Sequence, residues 1–155
     1  MKYKKLLIRL FVVFFILIAG YNLYFHFQLN RHENVLMTYV EDTAHSEGVS
    51  VILLNNTLDN IYSGAPYILR LQRQVLGVWL PVWPNFTTGY TEELYCYSPN
   101  IKYHLDLSWN SLYGAKAPGH YRVIKEFRIK LAPGDYEKFF LSAAFTIPHE
   151  KEVTT

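Results

Sequence analysis

The sequence predicts an all-β fold: an antiparallel sandwich of two packed sheets, about seven strands in all, preceded by one N-terminal transmembrane helix. Three observations predict it. Five stretches alternate apolar and polar residues with a period of two, the spacing of strands that bury one face. Turn-forming pairs separate the stretches, among them Asn55-Asn56, Ser63-Gly64, Pro99-Asn100, Pro118-Gly119 and Pro133-Gly134. Ahead of them, residues 6–20 read LLIRLFVVFFILIAG, apolar except for Arg9.

The helix comes first. Residues 10–29 number 20, the length that crosses a hydrocarbon core of roughly 30 Å. Lys2, Lys4, Lys5 and Arg9 precede or begin the run. By the positive-inside rule they keep the N-terminus cytoplasmic and send the rest of the chain outside. Tyr21, Tyr24, Phe25 and Phe27 stand where an outer aromatic belt would lie, with His26 and Gln28 in the headgroup zone. Leu17–Tyr21, LIAGY, has the form of a lipoprotein signal junction, but Tyr21 stands where the lipidated cysteine would be and has no thiol. A signal peptide cut after Gly20 is the competing reading. Ile18 is large for the −3 position and the chain stays apolar past Gly20, so an uncleaved anchor is expected.

The strands follow in order. Residues 36–40 form a weak first segment. Val49, Val51 and Leu53 alternate in the second, and Tyr67, Leu69 and Leu71 in the third. Residues 77–83 form an edge strand, because Pro81 removes a ladder donor. Ile101, Tyr103, Leu105, Leu107 and Trp109 face inward in the fifth, which puts Trp109 in the core. In the sixth, Tyr121, Val123, Phe127 and Ile129 face inward, and Lys125 interrupts them. Phe139, Leu141, Ala143, Phe145 and Ile147 close the series. About seven short strands with few helical stretches favour two stacked sheets. The expected organisation is an anchor at 1–29, a polar spacer at 30–35, the sandwich at 36–148 and a polar tail at 149–155. Ala-Pro-Gly occurs at 117–119 and 132–134, each time with tyrosine two residues later. Both runs read as type II turns that deliver the chain into a strand.

Charge narrows the function. Of 15 basic residues four lie before Asn30, which leaves eleven against thirteen acidic ones beyond it. A mildly acidic exported part has no electrostatic footprint for nucleic acid. The six histidines show no metal-binding spacing, and no nucleophile elbow or phosphate-binding glycine loop is present. Glu92 and Glu93 are adjacent, so on a strand they point to opposite faces. Cys96 lacks a neighbouring base and reads as a buried thiol between Tyr95 and Tyr97. No enzyme, metal or cofactor is expected. Trp79 and Trp83, four apart, would share one strand face near Tyr90. If the aliphatic face is inward, they form a platform for a glycan ring or a protein partner.

The run LYGAKAPGHYRVIKEF, residues 112–127, is the most specific in the chain. Its Leu112, Tyr113, Gly114, Pro118, Gly119, Tyr121, Arg122, Lys125 and Phe127 resemble the pattern of bacterial immunoglobulin-like domains in small lipoproteins and anchored proteins of Gram-positive bacteria. VSVILLNNT at 49–57 and AFTI at 144–147 resemble the same domains, over about residues 36–148. The resemblance implies an immunoglobulin-like sandwich at the cell surface; with no catalytic motif present, the expected role is a structural or protein-interaction element with an unknown partner, and the alternative is a carbohydrate or cell-wall binding module using Trp79, Trp83 and Tyr90. In such a fold Tyr121 is placed for a tyrosine corner, its hydroxyl bonded to the backbone of the preceding crossover. Leu112, Gly114, Pro118 and Gly119 would shape the turn around it.

Overall fold

The computed structural model describes residues 2–85 and 93–149. Helix α1, Lys2–Gln28, is unbroken over 27 residues. The large apolar side chains from Leu6 to Leu17 are all exposed. The span Tyr3–Gln28 is long and apolar enough to cross a membrane by length and composition. The helix stops at an asparagine. The Leu29 N–H still donates to the Phe25 carbonyl, at 2.9 Å. Asn30 then turns left-handed, φ 55°, a conformation asparagine takes at helix ends.

Nine strands follow among the described residues: β1 Val35–Tyr39, β2 Gly48–Asn55, β3 Ile61–Gly64, β4 Arg70–Val75, β5 Val78–Pro81, β6 Leu94–Tyr97, β7 Ile101–Ser108, β8 Gly119–Ala132 and β9 Asp135–Ile147. A single helical turn, α2 Asn110–Tyr113, separates β7 from β8. Strands β1, β2 and β7 make one sheet. The other runs β5-β4-β8-β3-β6, with β9 paired to β8. All ladders between these strands are antiparallel. The 14 residues of β8 explain the layout. One edge pairs with β9 from Gly119↔Ile147 to Ala132↔Asp135. The other pairs with β4 at Arg70–Arg73 and then with β3 at Ile61–Ser63.

Between the sheets lies an aromatic core. Trp109 stacks on Phe145 with 5.5 Å between centroids, and Phe127 on Phe139 at 5.8 Å. The Trp109 indole donates to the Ser46 carbonyl at 2.9 Å, so the buried N–H is satisfied. The sandwich and its helix are thus as the sequence predicts. Each of the seven expected segments contains a strand, though β4 begins after Tyr67 and Leu69. Strands β3 and β6 were not expected, because four residues are too few to display a period.

Three details differ. Cys96 is exposed, not buried: β6 is an edge strand and buries only its last residue, Tyr97. Pro118-Gly119 is not a type II turn, since Gly119 has φ 152° and already belongs to β8. Pro133-Gly134 is the β8–β9 hairpin turn, with Gly134 at φ 82°, the value type II requires. The segment expected as a spacer is bonded to the sheet: Asn30 N–H donates to the Phe140 carbonyl, and its side chain exchanges bonds with Ser142. Of the expected tail, residues 150–155 lie outside the described residues.

Candidate interaction surface

The end of α1 lies on the outer face of the larger sheet. Ile18, Tyr21, Asn22, Phe25, Gln28 and Leu29 are its half-buried or buried positions, a spacing of three and four that traces one helix face. Phe25 is only 1% exposed. Its ring meets Tyr21 at 4.9 Å and Phe140 at 6.5 Å, and the Arg70 guanidinium lies over both phenylalanine rings. An aromatic belt in lipid was expected of Tyr21 and Phe25; both are spent on the sheet instead, because the helix continues into the domain.

Polar groups fix the register of this contact. The Tyr21 hydroxyl accepts from Gln72 Nε2 at 2.7 Å. The buried Gln72 accepts in turn from Arg122, whose guanidinium lies 4.5 Å from the Trp79 ring. Burial lowers the Arg122 pKa, opposed by Tyr21. Asn22 accepts from the Trp79 N–H at 3.1 Å and donates to the Trp79 carbonyl at 3.0 Å. One side-chain amide thereby stands in for a neighbouring strand on the edge of β5, which blocks pairing there.

Beside the helix an open pocket of about 460 Å³ is lined by Tyr21, Leu69, Pro81, Trp83, Ile124 and Phe140 among others. Trp83 is 78% exposed. The expected platform is therefore divided. Trp79 faces outward, but Arg122 and Asn22 occupy it; Trp83 lies beyond the end of β5; Tyr90 lies outside the described residues. Val82 packs toward the core, while Val78 at the other end of the segment stays exposed.

The 112–121 motif comes together at one end of the sandwich. Leu112 is buried in α2. Gly114 has φ 67°, and a Cβ there would meet the Asn85 side chain at 3.2 Å. The Pro118 carbonyl accepts from Arg73, and Gly119 opens β8. The Tyr121 hydroxyl donates to the Ala117 carbonyl at 2.9 Å, across the turn into β8. Burial raises the Tyr121 pKa, against a lowering by Arg73. Tyr121→Phe is expected to cost about 0.5–1.5 kcal/mol, the net worth of one hydrogen bond, because the Ala117 carbonyl it leaves lies at an exposed residue that water can reach. Urea unfolding measures it, and an unchanged midpoint would mean that the bond contributes nothing.

The reactive residues are dispersed. Cys96 pairs across from Tyr62 in the larger sheet, while His104 stands opposite Ile52 in the smaller one. His120 Nδ1 lies 2.9 Å from the Thr146 hydroxyl. Glu93 is exposed, and Glu92 lies outside the described residues. No group of three or more His, Cys, Asp or Glu among the described residues is placed to hold a metal.

The most unusual polar group is Lys125. It is 1% exposed and points into the core. Its ammonium donates to the carbonyls of Ala65, Gly64 and Ile68 at 2.7, 2.8 and 3.2 Å. Three N–H donors thus pin the loop between β3 and β4, and no carboxylate is among their bonded partners. The sequence carried the signal as a cation in an inward register, but it named no acceptors, because carbonyls in an irregular loop leave no trace in residue types.

The bacterial Ig-like domain family matches residues 31–146. In the same comparisons no curated protein and no solved structure matches the chain. The match spans three quarters of the chain and nearly the whole of the two-sheet sandwich; the chain belongs to the bacterial Ig-like domain family.

Proposed function

We propose that the chain is a non-catalytic module held on the outer face of the bacterial cytoplasmic membrane by α1, with its N-terminus in the cytoplasm. It acts there as a structural or protein-interaction element. One observation carries the reading: α1 passes without a break from its exposed apolar turns into a face packed on the sandwich. A helix built this way transmits the domain's orientation to the membrane. A peptidase cutting after Gly20 would need residues around 18–22 extended, yet Ile18 and Asn22 are helical and bonded to each other, and Asn22 is bonded to Trp79 as well. Lys2, Lys4, Lys5 and Arg9 supply the inside-positive charge. Members of this family are typically non-catalytic, in keeping with the dispersed histidines. The resemblance to Gram-positive surface proteins supports the same location, with the helix in place of a lipid on Tyr21.

A glycan-binding reading draws on Trp83 alone, the exposed tryptophan beside the open pocket. It predicts loss of cell-wall glycan binding in Trp83→Ala. The anchor reading is tested by carbonate extraction of membranes with intact mass measurement. The full 155-residue chain is expected in the pellet. A soluble species beginning at Tyr21 would contradict it.

A further inference from the structure

The β4–β5 hairpin runs beside α1 toward the helix N-terminus. Phe25 lies against Arg70 at the start of β4, and Asn22 binds Trp79, which pairs with Gln74 near its end. Strand and helix are therefore antiparallel, and Ile18, half-buried one turn before Asn22, marks the contact continuing downward. The hairpin tip, Val75-Leu76-Gly77-Val78, carries no polar side chain. Leu76 is 99% exposed, and Val75 and Val78 are exposed as well.

Leu76 is also in a costly conformation. It has φ 51° and Gly77 has φ 80°, the two positive values of a type I′ turn, where asparagine, aspartate or glycine is favoured at the first position. A leucine there gives the fold no packing in return and strains its backbone. Folding explains neither its shape nor its exposure.

The bilayer does. Leu76 lies two residues beyond Gln74, which pairs with Trp79, the partner of Asn22. At about 3.3 Å per strand residue the tip reaches up to about 7 Å past Asn22, to the level of Leu17, at the end of the exposed apolar stretch 6–17 of α1. We infer that the Val75–Val78 tip inserts into the outer leaflet of the bilayer that α1 spans, giving the domain a second membrane contact. The inference rests on the anchor reading of α1. Two contacts fix the rotation of the domain about the helix axis, which one helix cannot do.

The test uses the full chain carrying Cys96→Ser, reconstituted in vesicles of phosphatidylcholine and phosphatidylglycerol. An environment-sensitive fluorophore is attached at Leu76→Cys or, separately, at Val13→Cys within α1. The Leu76 label is expected to emit to the blue of its value in the detergent-free denatured chain and to lose intensity with lipids spin-labelled near the headgroup. The Val13 label should be quenched by lipids spin-labelled deep in the acyl chain. A quenched Val13 label with an unquenched Leu76 label overturns hairpin insertion and leaves the anchor standing. Loss of quenching at both positions overturns the anchor and the insertion together.

Discussion

Replacing Lys125 by alanine is expected to destabilise the domain by about 2–4 kcal/mol. Truncating a long buried side chain costs about 2–5 kcal/mol, and each carbonyl left dry adds to that. Relief of the desolvation that the ammonium suffers now subtracts from the sum. Lys125→Met should cost less, since it fills the space and forfeits only the three bonds. The pH dependence gives a second signature. Burial pushes the Lys125 amine down to about 8 from an ordinary value of 10.5. Above pH 8 the folded state sheds its proton first while the unfolded chain keeps it to about 10.5, so stability rises with pH across that window. Tyr97 works in the opposite sense. Burial raises it to about 12, with Tyr95 and Tyr103 adding to the shift, and the stability it contributes is lost as pH rises from 10 through 12. Unfolding free energy should therefore climb from pH 8 to about 10 and then fall. In Lys125→Met the climb should vanish and the fall remain. A Lys125→Ala effect within about 0.5 kcal/mol, the ordinary range for surface changes, would show that the three bonds do not hold the loop.

Phe25→Ala is expected to release α1 from the sheet. Losing a fully buried phenylalanine costs about 3 kcal/mol or more, and the Arg70 guanidinium loses one of its two rings. The released helix should strain the Asn30 bonds to Phe140 and Ser142, so trypsin should cut after the exposed Arg31 about a hundred times faster, as cleavage follows the open population. Phe27→Ala, on the exposed side of the helix, is the control and should change nothing. Equal cleavage rates in both variants would place the helix off the sheet.

The fold was legible because burial leaves a period. In β2 the buried residues Val49, Val51, Leu53 and Asn55 alternate without a break, and Pro133-Gly134 marks its turn by φ alone. Trp109 is buried although it lies past the end of β7, because the core continues into α2. The surface was less legible. Nothing in YNLYFHFQ separates a helix face that meets lipid from one that meets a sheet, since both are aromatic and apolar. Only the sheet's outward residues, Arg70, Gln72, Arg122 and Phe140, decide it, and they come from three strands that all lie far from the helix in sequence. Cys96 misled for a related reason: apolar neighbours imply burial only where a second layer covers the strand, and at the edge of β6 none does.

Helix α1 and the sandwich form one folded unit, and nuclear Overhauser contacts in the full chain in lipid nanodiscs test this most directly. Cross-peaks should join the Asn22 side-chain amide to the Trp79 amide proton and the Phe25 ring to the Phe140 ring. A well-dispersed sandwich spectrum in which both sets of cross-peaks are missing would mean that the domain swings freely from its helix.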